Sequence, residues 1–372
     1  MRLPKIITTL QTYDLKQFLA DLSAGTTVAL VALPLSLAIA IASGADPAQG
    51  IVTAVVGGFL ISLFGGSRVQ IGGPTGAFIV VVFSVIAEHG YDGLVLATLM
   101  AGGILVVAGQ FRAGRLIAFV PEAVVNGFTI GIALIIALSQ FKDVFGLPLD
   151  HAPENALDTV SLLLAARDSV NWSAFGISAL AAVLILGFRR LAPKFPGLIL
   201  ALILASGLVT VLGLGVDTIT SRFGALPSGL PAPHWPEISP ARLVELLPSA
   251  LVIAFLAGVE SLLSAMVADR MIQGQHRPNA ELTAQGFANI GSALFGGLPA
   301  TGAIARTATN VRAGGKTPVA GLVHALVILL IMLVAAPLAG RLAMPALAAL
   351  LLVTAWNMSE PHRWGSYWRT PW

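Results

Sequence analysis

The sequence predicts an all-α membrane protein that crosses the bilayer many times. Of its 372 residues, 56% are hydrophobic and 10% are charged, and the mean hydropathy is +0.87. Soluble domains carry about 25% charged residues, so a soluble class is excluded. Apolar stretches close to the roughly 20 residues needed to span a bilayer recur along the whole chain. Composition, hydropathy and this recurrence together indicate a polytopic helical protein whose first partner is the lipid bilayer.

About twelve spans are expected, two of them as short half-helices. A short amphipathic cytoplasmic segment, residues 1–21, comes before the first span, and a Pro- and Gly-rich outer loop, residues 213–246, separates the seventh from the eighth. The expected spans are 22–43, 50–64, 75–87, 93–110, 122–140, 172–188, 197–212, 247–269, 280–295, 301–311, 318–339 and 345–356.

Two related stretches interrupt the apolar pattern in the third and tenth spans. The letters LFGG, then a proline, then TGA occur in both, with the TGA at Thr75, Gly76 and Ala77 and again at Thr301, Gly302 and Ala303. Glycine and proline are poor helix formers, so both spans are expected to break, each leading into a short helix. The copies lie about 230 residues apart, which favours two membrane repeats with interrupted helices in matching places. Chance similarity in a chain rich in Gly, Ala and Leu is the alternative.

A helix that begins inside a membrane directs unpaired N–H groups and the positive end of its dipole at whatever lies there. Arg306 follows Thr301 by about one turn and adds a full positive charge. This combination is suited to holding an anion. The two interrupted segments are therefore the candidate binding site for a small anion.

Glu260 lies in the middle of the eighth span, where an ionisable residue costs several kcal/mol. One interpretation is a carboxylate that binds a coupling proton or sodium ion beside the substrate, with Ser264 on the same helical face four residues on. The other is a structural carboxylate bonded to backbone N–H groups or paired with Arg306. His324 is the lone histidine of the eleventh span, and a hydrogen-bonded packing role is its default interpretation.

The basic residues indicate how the chain is oriented. With the N-terminus in the cytoplasm, fifteen Lys and Arg residues fall on the cytoplasmic side and five on the outer side, in agreement with the positive-inside rule. The net charge of +3 is therefore explained by anionic lipid, and no nucleic-acid partner is expected. The expected location is the inner, or plasma, membrane.

Several functional classes are excluded or left without support. Cysteine is absent, so disulfides and thiolate metal sites are excluded. No phosphate-binding loop, zinc-protease motif or nucleophile elbow occurs, so the chain is not expected to be an enzyme or to need a cofactor. Energy must then come from an ion gradient, from the substrate gradient or from a partner.

Five stretches of the chain resemble the SulP family of anion transporters, the sulfate permease group that includes the mammalian solute carrier 26 proteins. The stretches are PLSLA at 34–38, SRVQIGGPTG at 67–76, ARTATN at 305–310, GGKT at 314–317 and VTAWNM at 353–358. The resemblance extends over nearly the whole chain, and these motifs are specific to the family.

The resemblance implies two inverted seven-helix repeats, the architecture of uracil symporters, a homodimer, and a core that moves against a gate as an elevator. The implied division is core at 22–112 and 247–340 and gate at 117–212 and 341–372. The substrate would lie between the two half-helices. The family's site positions fall on Leu35, Ile39, Thr75, Glu260, Ala305 and Arg306.

The chain departs from the family pattern in two ways. Relatives usually have fourteen spans and a cytoplasmic STAS domain, whereas this sequence stops after the twelfth expected span. It is therefore expected to be truncated, or the span count is wrong by a pair. Many relatives also carry Gln and an aromatic residue where Leu35 and Ile39 stand, which implies a more apolar pocket.

The expected function is secondary active transport of a small anion, with proton or sodium symport through Glu260. Bicarbonate, sulfate, chloride and dicarboxylates such as fumarate are the substrates that the resemblance implies. The alternatives are an uncoupled anion exchanger or channel, a nucleobase symporter of the same architecture, and a membrane scaffold without transport. The charge of Arg306 argues against a nucleobase, and the cost of burying Glu260 and Arg306 argues against a scaffold.

Overall fold

The computed structural model describes residues 3–114, 122–149, 156–192 and 196–361. Nearly all regular structure in these ranges is helical. The helices are α1 (Lys5–Thr9), α2 (Leu15–Ala42), α3 (Pro47–Phe64), α4 (Ile79–Gln110), α5 (Glu122–Val144), α6 (Ala156–Ala165), α7 (Trp172–Leu191), α8 (Gly197–Leu212), α9 (Ile219–Phe223), α10 (Pro240–Ile272), α11 (Pro278–Leu294), α12 (Ile304–Arg312), α13 (Val319–Ala339) and α14 (Met344–Met358).

Six helical segments of the described part are long and apolar enough to cross a membrane. They are α2, α3, α4 with its preceding turn, α7, α10 and α13, while α8 and α14 are apolar but shorter. The prediction of a helical membrane protein is confirmed. Gly90, with φ 72° and ψ 176°, breaks α4 between the predicted third and fourth spans, because glycine adopts a positive φ without steric cost.

Two helices begin before the predicted spans do, because helix caps, and not the apolar pattern, set their ends. α2 begins at Leu15, where the Asp14 side chain accepts a hydrogen bond from the backbone of Gln17, and not at residue 22. α10 begins at Pro240 after the Ser239 cap, so the predicted outer loop 213–246 ends earlier and also contains α9. A polar cap satisfies the free N–H groups of a first turn whether or not apolar residues follow. The structure also adds α6, which the sequence pattern left within a loop.

The two interrupted segments meet each other through their backbones. Strand β1 (Gly72–Gly73) pairs antiparallel with β2 (Thr301–Gly302), with Gly72 opposite Gly302 and Gly73 opposite Thr301. The prediction that both spans are broken is confirmed, but α12 begins at Ile304, not at Thr301, which is extended. The pairing satisfies backbone groups that would otherwise be unpaired at membrane depth.

Three apolar clusters of buried side chains occur among the described residues. The largest joins mainly residues of α2, α5, α7, α8, α13 and α14, and the second joins mainly residues of α4, α10 and α11. The third consists of Ile61, Ala288 and Ala300, the last of which directly precedes β2. In the second cluster α4 packs along both α10 and α11, while α13 packs along α2 and α14 along α5. The strand pair lies beside α3 and α10, so rigid helices hold the start of α12 and the residues that follow β1.

Candidate functional site

The site begins with a contact between the first interrupted segment and α10. Thr75 is extended and directly precedes the short 3-10 turn Gly76–Phe78. Its Oγ1 donates a hydrogen bond of 2.8 Å to Oε2 of Glu260, which is partly buried. Two residues that are 185 positions apart in the sequence are therefore brought together, as the site prediction requires.

Arg306 lies in the first turn of α12 and is 2% exposed. Its Nη2 donates to the Pro74 carbonyl at 2.9 Å and to Ser36 Oγ at 3.2 Å. Its Nε and Nη1 are buried, and neither has a hydrogen-bond partner in the described part of the chain. A guanidinium with free, buried N–H groups is a strong donor for an oxyanion.

The pairing of Arg306 with Glu260, which the sequence left open, is not formed at contact distance. Among the described residues, no ion pair of 4.0 Å or less joins them, although the two groups interact electrostatically at longer range. Arg306 therefore keeps donors that a bound anion can use, and Glu260 keeps an oxygen that Thr75 does not occupy.

Gly73 allows Arg306 to lie this close to the strand pair. Its φ is 148°, and a Cβ at this position would overlap Nη1 of Arg306. A larger residue would displace the guanidinium or the strand. From the sequence, the glycines of this stretch were considered only as residues that break a helix. In the structure, Gly73 also allows the guanidinium of Arg306 to lie close to the strand pair.

The remaining predicted site residues are distributed around this centre. Ala303 caps α12, and Ala305 is exposed on its first turn. Leu35 is partly exposed next to Ser36, whereas Ile39 is 2% exposed and belongs to the larger apolar cluster. Ala77 packs at the edge of the same cluster.

Three predicted residues make contacts other than the expected ones. Thr301 donates from Oγ1 to the Ala257 carbonyl at 2.9 Å, so its hydroxyl holds β2 against α10. Gly302 provides room for a side chain, because a Cβ there would overlap the amide of Gln70. Ser264 lies 3.3 Å from Thr307 Oγ1, which fixes α10 to α12 and uses its hydroxyl there.

Sequence reasoning missed several polar residues around the site. Ser36 and Pro74 supply the oxygens that bind Arg306. Glu281, which the sequence analysis did not single out, is a fully buried carboxylate near the start of α11. Gln285 of α11 donates from Nε2 to Ser261 Oγ of α10 at 2.7 Å.

His324 contradicts its default interpretation as a hydrogen-bonded packing residue. It is fully buried on α13, and neither ring nitrogen has a hydrogen-bond partner among the described residues. Its ring faces Gly58 of α3, because a Cβ added at Gly58 would lie 3.6 Å from Cε1 of His324. No group of three or more His, Cys, Asp or Glu residues that could hold a metal ion occurs in the ranges the structure describes.

Comparison with known proteins gives a consistent result. A profile described as "Sulfate permease family" matches residues 18–371. The "Putative sulfate transporter YvdB" of Bacillus subtilis is 45% identical over 349 residues, which is 94% of this chain and 66% of that protein. The "Bicarbonate transporter BicA" of Picosynechococcus is 32% identical over 89% of this chain and 60% of its own length. The chain thus spans three fifths to two thirds of these relatives.

Solved structures agree with the described fold. The transmembrane domain of a cyanobacterial bicarbonate transporter BicA aligns with a TM-score of 0.87 at 30% identity, covering 96% of this chain and 92% of that domain. Murine Slc26a9 also aligns with a TM-score of 0.87, over 65% of its length and at 18% identity, which shows the fold alone. The names of the curated relatives are those of transporters, in agreement with the prediction that the chain is not an enzyme. The matched profile, which covers nearly the entire sequence, and the identity to the bacterial relatives establish that this chain belongs to the sulfate permease family.

Proposed function

We propose that this chain is the membrane domain of a secondary active transporter that carries a small anion across the inner membrane. The observation that carries the proposal is the buried guanidinium of Arg306 with Nε and Nη1 unpartnered among the described residues. An unpaired buried charge is costly to maintain, and an oxyanion bound there removes that cost. The first turn of α12 adds backbone N–H groups to the same place.

The substrate is a small oxyanion. The relatives named above are described as a putative sulfate transporter and a bicarbonate transporter, and sulfate, bicarbonate and dicarboxylates such as fumarate all present oxygens that the free N–H groups of Arg306 can bind. Leu35, which is partly exposed beside Ser36, offers no hydrogen-bond donor to the anion.

Glu260 is the proposed coupling residue, and the coupling cation is a proton or sodium. Its Oε2 is bonded to Thr75, which contributes to the anion site. A cation held by Glu260 lowers the negative charge that an arriving anion meets. Occupation of one site therefore favours occupation of the other, which is the reciprocity that symport requires.

The wider architecture of the proposal is the family's. The proposed architecture has about twelve spans, which belong to two inverted seven-helix repeats. The core consists of residues 22–112 and 247–340, and the gate consists of residues 117–212 and 341–372. The core carries the site past the gate as an elevator, within a homodimer. The N-terminus lies in the cytoplasm, because the basic residues concentrate on that side.

Uptake into proteoliposomes tests this function. Labelled bicarbonate, sulfate and fumarate are offered at two pH values, with and without a sodium gradient. We expect one of them to accumulate against its gradient, and Glu260→Gln to keep anion binding but lose the dependence on the cation. Unaltered coupling in Glu260→Gln removes the role given to this residue, and transport without any cation dependence indicates an uncoupled exchanger or channel.

A further inference from the structure

Glu281 is a buried carboxylate that the transport proposal does not use. It is 0% exposed, and no cationic side chain among the described residues lies within 4.0 Å of it. Its Oε2 accepts from the backbone N–H groups of Gly66 at 2.8 Å and Ser67 at 3.2 Å. Its Oε1 accepts from Ser261 Oγ at 2.9 Å and Gln285 Nε2 at 2.8 Å.

The direction of these hydrogen bonds is fixed by their neighbours. The amide nitrogens of Gln70 and Gln285 both donate to Ser261 Oγ, at 2.8 and 2.7 Å. The hydroxyl proton of Ser261 can then point only to Glu281. All four partners of Glu281 are donors, which is the arrangement that an ionised carboxylate satisfies and a neutral amide does not.

This network connects α11, which carries Glu281, with α10 and with the segment between α3 and β1. The last two lead directly to the residues of the site. Ser261 directly follows Glu260 on α10. Gly66 and Ser67 begin the lead-in from α3 to β1, and Gln70 lies in the same lead-in with its amide over Gly302 of β2. The lead-in continues through β1 to Thr75, whose hydroxyl donates to Glu260. Both residues of the Thr75–Glu260 contact are therefore attached to Glu281 through short segments.

We propose that Glu281 is a positioning residue for the anion site. Its fixed negative charge holds the lead-in against α10 and α11, and this sets the register of the strand pair and the approach of Thr75 to Glu260. The inference rests on the proposed function for its effect on anion affinity, but its effect on the lead-in can be measured without transport.

The test uses Glu281→Gln and the milder Ser261→Ala. In Glu281→Gln the new NH2 group faces hydrogen-bond donors on one side of the carboxamide, so the lead-in loses at least one of its anchors. Ser261→Ala removes the hydroxyl to which three groups are bonded and serves if Glu281→Gln does not fold. The chain has no cysteine, so a single Val69→Cys, at a lead-in position only 1% exposed, reports on the lead-in through its rate of maleimide labelling.

Asp21 provides the matched control. It is also 0% exposed and accepts hydrogen bonds from Tyr13, from the backbone of Lys316 and from the backbone and hydroxyl of Thr317. None of these partners belongs to the lead-in or adjoins Glu260. Asp21→Asn therefore removes a comparable buried charge elsewhere in the same protein.

We expect Glu281→Gln, made in the Val69→Cys background, to raise the labelling rate of the introduced thiol and the KM for the transported anion, each by about tenfold, with a smaller change in kcat. Ser261→Ala should shift both in the same direction, and Asp21→Asn should change neither. Unchanged labelling and KM in both variants overturn the proposal, as does faster labelling with an unchanged KM. If the wild-type protein carries none of the anions, the proposed function fails, and the labelling then decides by itself whether Glu281 holds the lead-in.

Discussion

Arg306 and Glu281 are two buried charges in the same protein with opposite surroundings. Each is nearly or fully inaccessible, at 2% and 0% exposed. Glu281 accepts four hydrogen bonds, which use both of its oxygens. Arg306 donates two, both from Nη2, and leaves Nε and Nη1 without a partner among the described residues.

The difference separates a structural charge from a binding charge. A buried charge whose partners all come from the protein contributes to the folded state and has nothing left for a ligand. A buried charge with unused donors costs free energy until a ligand supplies acceptors. Both side chains are buried and both carry a full charge, so the count of unused hydrogen-bonding groups is the informative quantity.

The largest expected effect comes from removing the unused donors. Arg306→Gln should reduce the affinity for the transported anion by about 100-fold or more, because the charge and its free N–H donors are both lost. The melting temperature without anion should not fall, because an unpaired buried charge is removed with it. A thermal-shift titration with each anion measures both quantities. A large loss of stability without anion contradicts the comparison.

Arg222 is the control for that experiment, because its donors are used within the protein. It donates to Asp143 at 2.6 Å and to Asp217 at 3.0 Å. Burial lowers the pKa of Arg222, but the charges and hydrogen bonds of Asp143 and Asp217 together outweigh it, and the net shift is upward. Arg222→Gln should leave Asp143, 4% exposed, without its ion pair and lower stability by about 3 kcal/mol. The affinity for the anion should be retained.

A smaller effect is expected at Thr75. Thr75→Val keeps the shape of the side chain but removes the hydrogen bond to Glu260 Oε2. The KM for the anion should rise by about tenfold, which corresponds to about 1.4 kcal/mol. Uptake kinetics in proteoliposomes give this number, and Thr75→Ser is the control that restores the hydroxyl. A wild-type KM in Thr75→Val places Thr75 outside the site.

His324 extends the comparison to a buried side chain that carries no charge and has no hydrogen-bond partner among the described residues. An imidazole that is buried with both nitrogens unpaired costs free energy in the folded state. His324→Leu should therefore raise the free energy of unfolding by about 1 kcal/mol and leave the pH dependence of uptake unchanged. Denaturation in detergent and uptake at two pH values test the two parts. A changed pH profile assigns His324 a part in proton coupling.

The smallest effect concerns Tyr13, which lies outside the membrane-spanning segments and donates to Asp21 at 3.1 Å. Burial and then the charge of Asp21 raise the pKa of Tyr13 from 10.0 to about 12. The protonated phenol therefore favours the folded state fully below pH 10, and this contribution is lost as the pH rises through about 12. Its size is below about 1 kcal/mol, because Tyr13 is only partly buried and solvent screens the interaction. Tyr13→Phe should flatten the loss of stability in this window. An equal loss in both proteins contradicts the assignment.

Much of the fold and part of the site follow from the sequence. Composition and apolar periodicity predicted the membrane helices, and the repeated glycine and proline pattern predicted the breaks beside Thr75 and Thr301. Helix ends at Leu15 and Pro240 were misplaced, because caps fix them locally. Ser264 was assigned to the site by its spacing from Glu260 and Thr301 by the repeated motif, but neither pattern shows which neighbouring element the side chain contacts.

The sequence by itself determined which residues are too polar for their place in the membrane, since this depends only on residue type and position within an apolar stretch. It identified Glu260 and Arg306 for this reason. Only the tertiary structure decided what each of them contacts. The partners of Arg306 come from α2 and from the segment between β1 and α4, and those of Glu281 come from α10, from Gln285 of its own helix α11 and from the lead-in to β1. Hydrogen bonds depend on distances between segments that are far apart in the chain, and no local pattern contains those distances.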